Sequence, residues 1–300
     1  MAEIDLTQLP APKAIEEIGF EELFARKKAA LIELCPEGAR EAIAAALELE
    51  SEPLTIDLQQ QAYQELLLRQ RVNEATAATM LALATGSDLD HIAASVGLER
   101  KVIQAADPAA NPPLEEILET DRALRRRVQM HPEKYAAAGP GAAYVGHAMD
   151  AHAHVADARA VRPVAGTVRV YLKSYVGNGV PAAAVIAAVN AYLSAEERRP
   201  LCDTVEVQAG KPKSISIRYV TTFEKGPDKT LVAAKQRADL DALLQDYTGL
   251  GAELSLSKII GALDVVGVKK VDLKSPAADV YCTDAEFITV TAITAEEAAE

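Results

Sequence analysis

Apolar residues recur with a helical period in the first third of the chain, and beyond residue 154 they alternate with the period of a strand. Phe20, Leu23, Phe24, Ala30, Leu31 and Leu34 predict a helix over Phe20–Leu34, stopped by Cys35-Pro36. The pattern resumes over Gly38–Glu50 with Ala42, Ile43, Ala46, Leu47 and Leu49. Ser51 and Pro53 then open a long helix predicted to reach Ala84, about 45 Å at ~1.5 Å per residue. Its apolar set is Leu54, Leu58, Ala62, Leu66, Leu67, Leu68, Val72, Ala75, Met80, Leu81 and Leu83. A lone helix cannot bury that much, so this one requires partners. Midway, Arg69, Gln70, Arg71, Asn73 and Glu74 form a polar band. It is either a solvated face or a polar layer that sets the register between subunits. Gly86 ends the helix, Ser87 or Asp88 caps Leu89–Val96, and Gly97 closes it.

Around these elements the pattern is less regular. Residues 1–19, with Pro10 and Pro12, read as an extended arm. Residues 101–120, with Pro108, Pro112 and Pro113, read as a linker. A short basic helix follows at Asp121–Met130, then a hinge-like break at 135–143 and a helix over Ala142–Ala151. Strands are predicted at Val155–Val161, Thr167–Leu172, Val205–Val207, Ser214–Thr222, Val268–Leu273 and Glu286–Ala292. Helices are predicted at Pro181–Ser194, Lys229–Tyr247 and Ser255–Leu263, with a frayed acidic tail over Thr294–Glu300. The expected fold is α+β: a long-helix region, then two small α+β sandwiches. The expected division is 1–100 for the arm and long helices, 101–153 for a junction, 154–225 for the first α+β domain and 226–300 for the second.

Composition narrows the function. A net charge of −13 opposes nucleic acid, and the basic run Arg125-Arg126-Arg127 follows Glu115, Glu116, Glu119 and Asp121. That run reads as a solvated helix face or as a surface for acidic partners. Cys35, Cys202 and Cys282 are widely separated and read as reduced thiols. The N-terminus lacks the pattern of a signal peptide, and no run is long and apolar enough for a membrane span, so a soluble cytoplasmic product is expected. His147, His152 and His154, near Asp150 and Asp157, are the candidate metal cluster of an alternative, a metal-dependent α+β enzyme. Their spacing fits no common ligand pattern. Asp88 and Asp90 are explained by helix capping, and Gly177-Asn178-Gly179 lacks the rest of a phosphate loop. No catalytic, cofactor or metal site is expected.

Several runs carry a resemblance: Leu49-Glu50-Ser51-Glu52-Pro53-Leu54, Gln61-Ala62-Tyr63-Gln64-Glu65, Arg69-Gln70-Arg71-Val72-Asn73-Glu74-Ala75 and Gly86-Ser87-Asp88-Leu89-Asp90. So do Ile4–Pro12, Ala138-Gly139 before Tyr144, Arg199-Pro200-Leu201, and Leu256–Leu263 with Val266-Gly267-Val268. In order along the chain, they resemble the baseplate J-like family of temperate contractile-tailed phages and R-type pyocins, least so at 101–120 and 131–143. The resemblance implies a structural subunit of a baseplate wedge. Two copies would join one copy of a second wedge protein, and six wedges would close an iris-like ring around the central hub. Leu54, Leu58, Ala62, Leu66, Val72, Met80 and Leu83 would line a three-chain bundle, with Arg69 and Arg71 in its polar band. The segment Lys229–Thr291, including Leu256, Ile259 and Ile260, would close the ring. Further implied partners are neighbouring wedges and the hub, spike or sheath-initiating proteins. Assembly in the bacterial cytoplasm would precede release in a phage tail or a headless bacteriocin particle.

Overall fold

Pro53, fixed in a conformation that suits a first helical turn, starts the longest helix of the N-terminal unit. The computed structural model describes residues 6, 9–10, 12–17, 19–135, 140–196, 198–200 and 202–298. Parts of the expected arm and of the break at 135–143, including the matched residues 4, 5, 7, 8, 11, 138 and 139, lie outside these, as does Leu201. The chain divides into two units, Met1–Glu99 and Arg100–Glu300. In the first, α1 (Phe20–Leu34) is followed by a 3-10 turn at Glu37–Ala39, α2 (Arg40–Ala46), α3 (Pro53–Ala78) and α4 (Gly86–Ser95). α1 packs on α3. Leu23, Leu47, Thr55, Leu58 and Ala62 are buried there, and the Thr55 hydroxyl donates to Leu47 O (3.3 Å).

α3 stops at Ala78, short of the expected Ala84. Thr76 and Thr79 turn their hydroxyls back on Val72 O (2.8 Å) and Thr76 O (2.9 Å), and Thr79 N and Met80 N tighten the last turn. Threonine competes in this way for carbonyls that would continue a helix. Met80 and Leu83 therefore lie beyond the helix.

In the second unit the expected linker is a closed excursion. β1 (Val102–Gln104) pairs antiparallel with β2 (Ile117–Leu118), and Asp107 bridges Leu114 inside it. Then come α5 (Asp121–Met130), a 3-10 turn at His131–Tyr135, α6 (Gly141–Ala151), β3 (Val155–Val164), β4 (Thr167–Ser174), α7 (Ala183–Leu193) and β5 (Thr204–Ala209). The first sheet has the order β3-β4-β5, antiparallel then parallel. Its core joins Tyr144, Ala148 and Met149 of α6 to Val155, Val170 and Leu172 of the sheet and Val185, Val189 and Leu193 of α7. α6, expected in a separate junction, thus helps to build the first sandwich.

The chain continues with β6 (Lys211–Phe223), α8 (Lys229–Asp246), β7 (Glu253–Leu254), α9 (Leu256–Leu263), β8 (Val268–Ser275), β9 (Val280–Tyr281) and β10 (Glu286–Glu297). The second sheet runs β10-β6-β8, and β7 pairs with β9 beside it. β6, expected in the first sandwich, hydrogen-bonds along β10 in parallel and β8 antiparallel, so it belongs to the second. The expected frayed tail is the far half of β10. Glu296 and Glu297 pair with Arg218 (2.7 Å) and Lys229 (2.5 Å), and the ladder reaches Glu297↔Thr221. Ile217, Tyr219, Leu240, Leu254, Ile259, Leu263 and Ile288 form this core. These two sheets and their helices make the fold α+β, as expected.

Buried Gln236 stitches the second core: its amide nitrogen donates to Leu263 O (2.6 Å), and its oxygen accepts from the Thr221 hydroxyl (3.3 Å). Replacing Gln236 with Leu leaves both partners buried without it. Urea unfolding should show a loss of about 1–3 kcal/mol, read as a lower midpoint at unchanged slope.

Candidate interaction surfaces

The polar band of α3 is used largely within the chain. Glu65 receives Arg26 (2.5 Å), Lys27 (2.8 Å) and Arg69 (3.0 Å), and the hydrogen bond from Lys27 leads in holding its carboxyl down at about 2. Arg69 also reaches Glu16 (2.6 Å). Asn73 clamps the backbone of the same Glu16, accepting from its N–H (3.1 Å) and donating to its carbonyl (2.9 Å). Neither reading of the band foresaw this: Arg69 and Asn73 pin the arm to the helix. Arg71 is exposed and pairs with Glu74 (3.5 Å).

α3 buries one face and leaves apolar residues on others. Leu58 and Ala62 are spent on the chain's own core, and Leu66 and Met80 are half-buried. Exposed are Leu54, Leu68 (69%) and Val72 (61%) on one side and Ile56, Tyr63 and Leu67 on another; Leu83 is exposed beyond the helix. Ile56, Tyr63 and Leu67 follow the i, i+7, i+11 spacing of one helix face. That spacing was present in the sequence, although Ile56 and Tyr63 were not among the expected contacts.

Two arginines of the basic run in α5, Arg126 and Arg127, are turned onto the chain's own acids. Thr120 caps the helix, its hydroxyl accepting from Ala123 N (3.4 Å). Arg127 is buried and bonds Glu119 (2.6 Å) and Asp150 (3.0 Å), while Lys134 also reaches Asp150. Arg126 bonds the buried Asp157 (2.7 Å). Lys101 extends into the same group: its ammonium donates to Met149 O and to His152 O (3.1 Å), at the end of α6. Burial, reinforced by Arg127, pushes this lysine down to about 8. Burying charges in this way is tolerable only because they are paired.

The histidines do not converge on a metal. His147 lies against Tyr192 with ring centroids 6.4 Å apart. His152 accepts from His154 N (3.0 Å), and the two rings meet edge to face. Among the described residues no group of three His, Cys, Asp or Glu side chains could hold a metal ion.

In the second sandwich, Ile259 is core, Leu256 is half-buried with its N–H on Asp279 (2.8 Å), and Ile260 is exposed. Two larger exposures escaped the sequence reading: Leu231 on the first turn of α8 and Val266 (98%) in the α9–β8 loop. They sit at the same end, because Gly267 lies against Val232 and Pro227.

Residues 50–107 match the baseplate J-like N-terminal domain, and residues 136–209 match the baseplate J-like central domain. The chain is 39% identical over 294 residues to baseplate protein J of Escherichia phage P2, covering 95% of this chain and 97% of that protein. Among solved structures, the cryo-EM baseplate of the anti-feeding prophage aligns with a TM-score of 0.40 at 13% identity. That alignment covers 59% of this chain and 45% of the other, so this chain spans less than half of that neighbour's length.

The buried lysine gives a pH test. With its folded value near 8 and its ordinary value at 10.5, Lys101 is neutral in the folded chain and charged in the unfolded chain between these limits. The unfolded state then binds more protons, so the lysine penalises folding below about 8 and stability returns as pH rises toward 10.5. The stability of the natural chain relative to Lys101→Met should therefore increase between pH 7 and 10, by on the order of 2 kcal/mol. Denaturant titrations at both pH values measure the difference.

Proposed function

This chain belongs to the baseplate J-like family, and from that membership we propose that it is a structural subunit of a contractile-tail baseplate, working as part of a wedge rather than as an enzyme. Two copies join one copy of a second wedge protein through a helical bundle, and six wedges close a ring around the central hub. Residues 1–100 supply the bundle, the β1–β2 excursion and α5 the junction, and the two α+β sandwiches, the first with α6 in its core, the body and the wedge-to-wedge contact. The particle is a phage tail or a headless pyocin assembled before cell lysis.

The observation that carries this reading is the apolar surface of α3. After α1 has covered one face, Leu54, Leu68 and Val72 remain exposed on one side and Ile56, Tyr63 and Leu67 on another. A helix with apolar flanks on more than one side is suited to several neighbouring helices. The contact set therefore shifts from Leu58 and Ala62 to these exposed residues. For the ring contact, Leu231, Ile260 and Val266 are the apolar side chains the second sandwich leaves exposed in its α8–α9 region.

Co-expression with the second wedge protein tests the bundle. Leu68→Asp with Val72→Asp should abolish co-purification while shifting the stability of the isolated chain by less than about 1 kcal/mol, as exposed substitutions do. A complex that survives both changes removes α3 from the interface. Leu231→Asp with Val266→Asp should leave single wedges intact and prevent closed rings, counted in electron micrographs. Normal rings would place the contact elsewhere.

A further inference from the structure

The two sandwiches of residues 100–298 meet without a linker. β5 ends at Ala209, where Gly210 N still donates to Leu172 O of β4 (2.7 Å). One residue later Lys211 N donates to Ala285 O (2.7 Å), and β6 runs on alongside β10. Glycine at such a crossing could serve as a hinge. Its surroundings argue otherwise: a Cβ at Gly210 would stand 2.8 Å from Leu250 Cδ2, 2.9 Å from Leu172 O and 3.3 Å from Phe287 Cδ1. Glycine here permits close packing, not freedom.

Other contacts hold the same joint. Asp157 of β3 accepts Arg126 (2.7 Å) and its neighbour's N–H at Ala158 (2.9 Å) on one oxygen. Its other oxygen accepts Leu250 N of the second sandwich (2.7 Å). Lys173 of β4 donates to Thr248 O (2.5 Å) and lies 5.1 Å from the centre of the Phe287 ring. Phe287, at the start of β10, is buried against Gly179 of the first sandwich, where a Cβ would stand 2.7 Å from its ring. Arg159 pairs with Asp284 (2.5 Å) and Arg122 with Asp246.

We propose that residues 100–298 are one rigid lever, its two sheets welded at Gly210, with Asp157 and Phe287 as positioning residues. On the baseplate reading above, any reorientation of the wedge contact then carries both sandwiches together. The angle between them is fixed.

Distances between spin labels on the full chain test this, after Cys35, Cys202 and Cys282 are replaced with Ser. Labels at Ala165→Cys and Lys269→Cys span the two sheets; labels at Glu253→Cys and Lys269→Cys stay within the second sandwich. A rigid lever gives an inter-sheet distribution no more than ~1.5-fold wider than the control. A distribution more than about twofold wider, or two separate distances, overturns the proposal. Asp157→Ala and Gly210→Val should each widen or displace the inter-sheet distance and leave the control pair unchanged. An unchanged inter-sheet distance in both variants removes these residues from the weld. Co-purification with the second wedge protein reports separately on the baseplate reading, and it should persist in Asp157→Ala.

Discussion

Between Ala209 and Lys211 the backbone exchanges one set of hydrogen-bonding partners for another within a single residue, and the arrangement of the C-terminal two-thirds follows from that crossing. Because only Gly210 separates β5 from β6, the second sheet cannot be placed independently of the first. The α8–β7 turn must then fold back onto β3, where the Asp157 carboxylate satisfies Leu250 N and Arg126 together. Neither sheet alone has more than three strands. Each is completed by helices on one face and by its neighbour at this joint.

Charge is handled differently in the two units. In the N-terminal unit the ion pairs around Glu65 and Arg69 lie at the surface, where each contributes little but together they fix how the arm meets α3. In the C-terminal unit Glu119 and Arg127 are buried with Asp150 and Lys101 close by. A buried pair of this kind rarely adds net stability over an apolar equivalent, but breaking it is costly. It ties α5, the end of α6 and the β1–β2 excursion to one another. A chain with a net charge of −13 thus has its most basic helix turned against its own acids.

The N-terminal unit shows the opposite economy. α3 is long enough for two sets of neighbours, and the chain supplies one of them, α1. What remains exposed on α3 is a set of leucines, a valine, an isoleucine and a tyrosine.

Periodicity alone determined most of the helices, the main strands and the α+β class, because these depend on interactions between residues three, four or two apart. Resemblance across the chain pointed to the baseplate J-like family, and 39% identity over nearly the whole chain agrees. Long-range pairings could not be read this way. Nothing local in Ser214–Thr222 says that it pairs with β8 and β10 rather than β4, nor that Glu296 and Glu297 meet Arg218 and Lys229. The same holds for Arg127, whose burial depends on Glu119 and Asp150 arriving from other elements, and for Leu58 and Ala62, which only the packing of α1 separates from Leu68 and Val72. Local spacing sets which face of an element is apolar; only the tertiary structure decides which faces are covered, because that depends on residues distant in sequence.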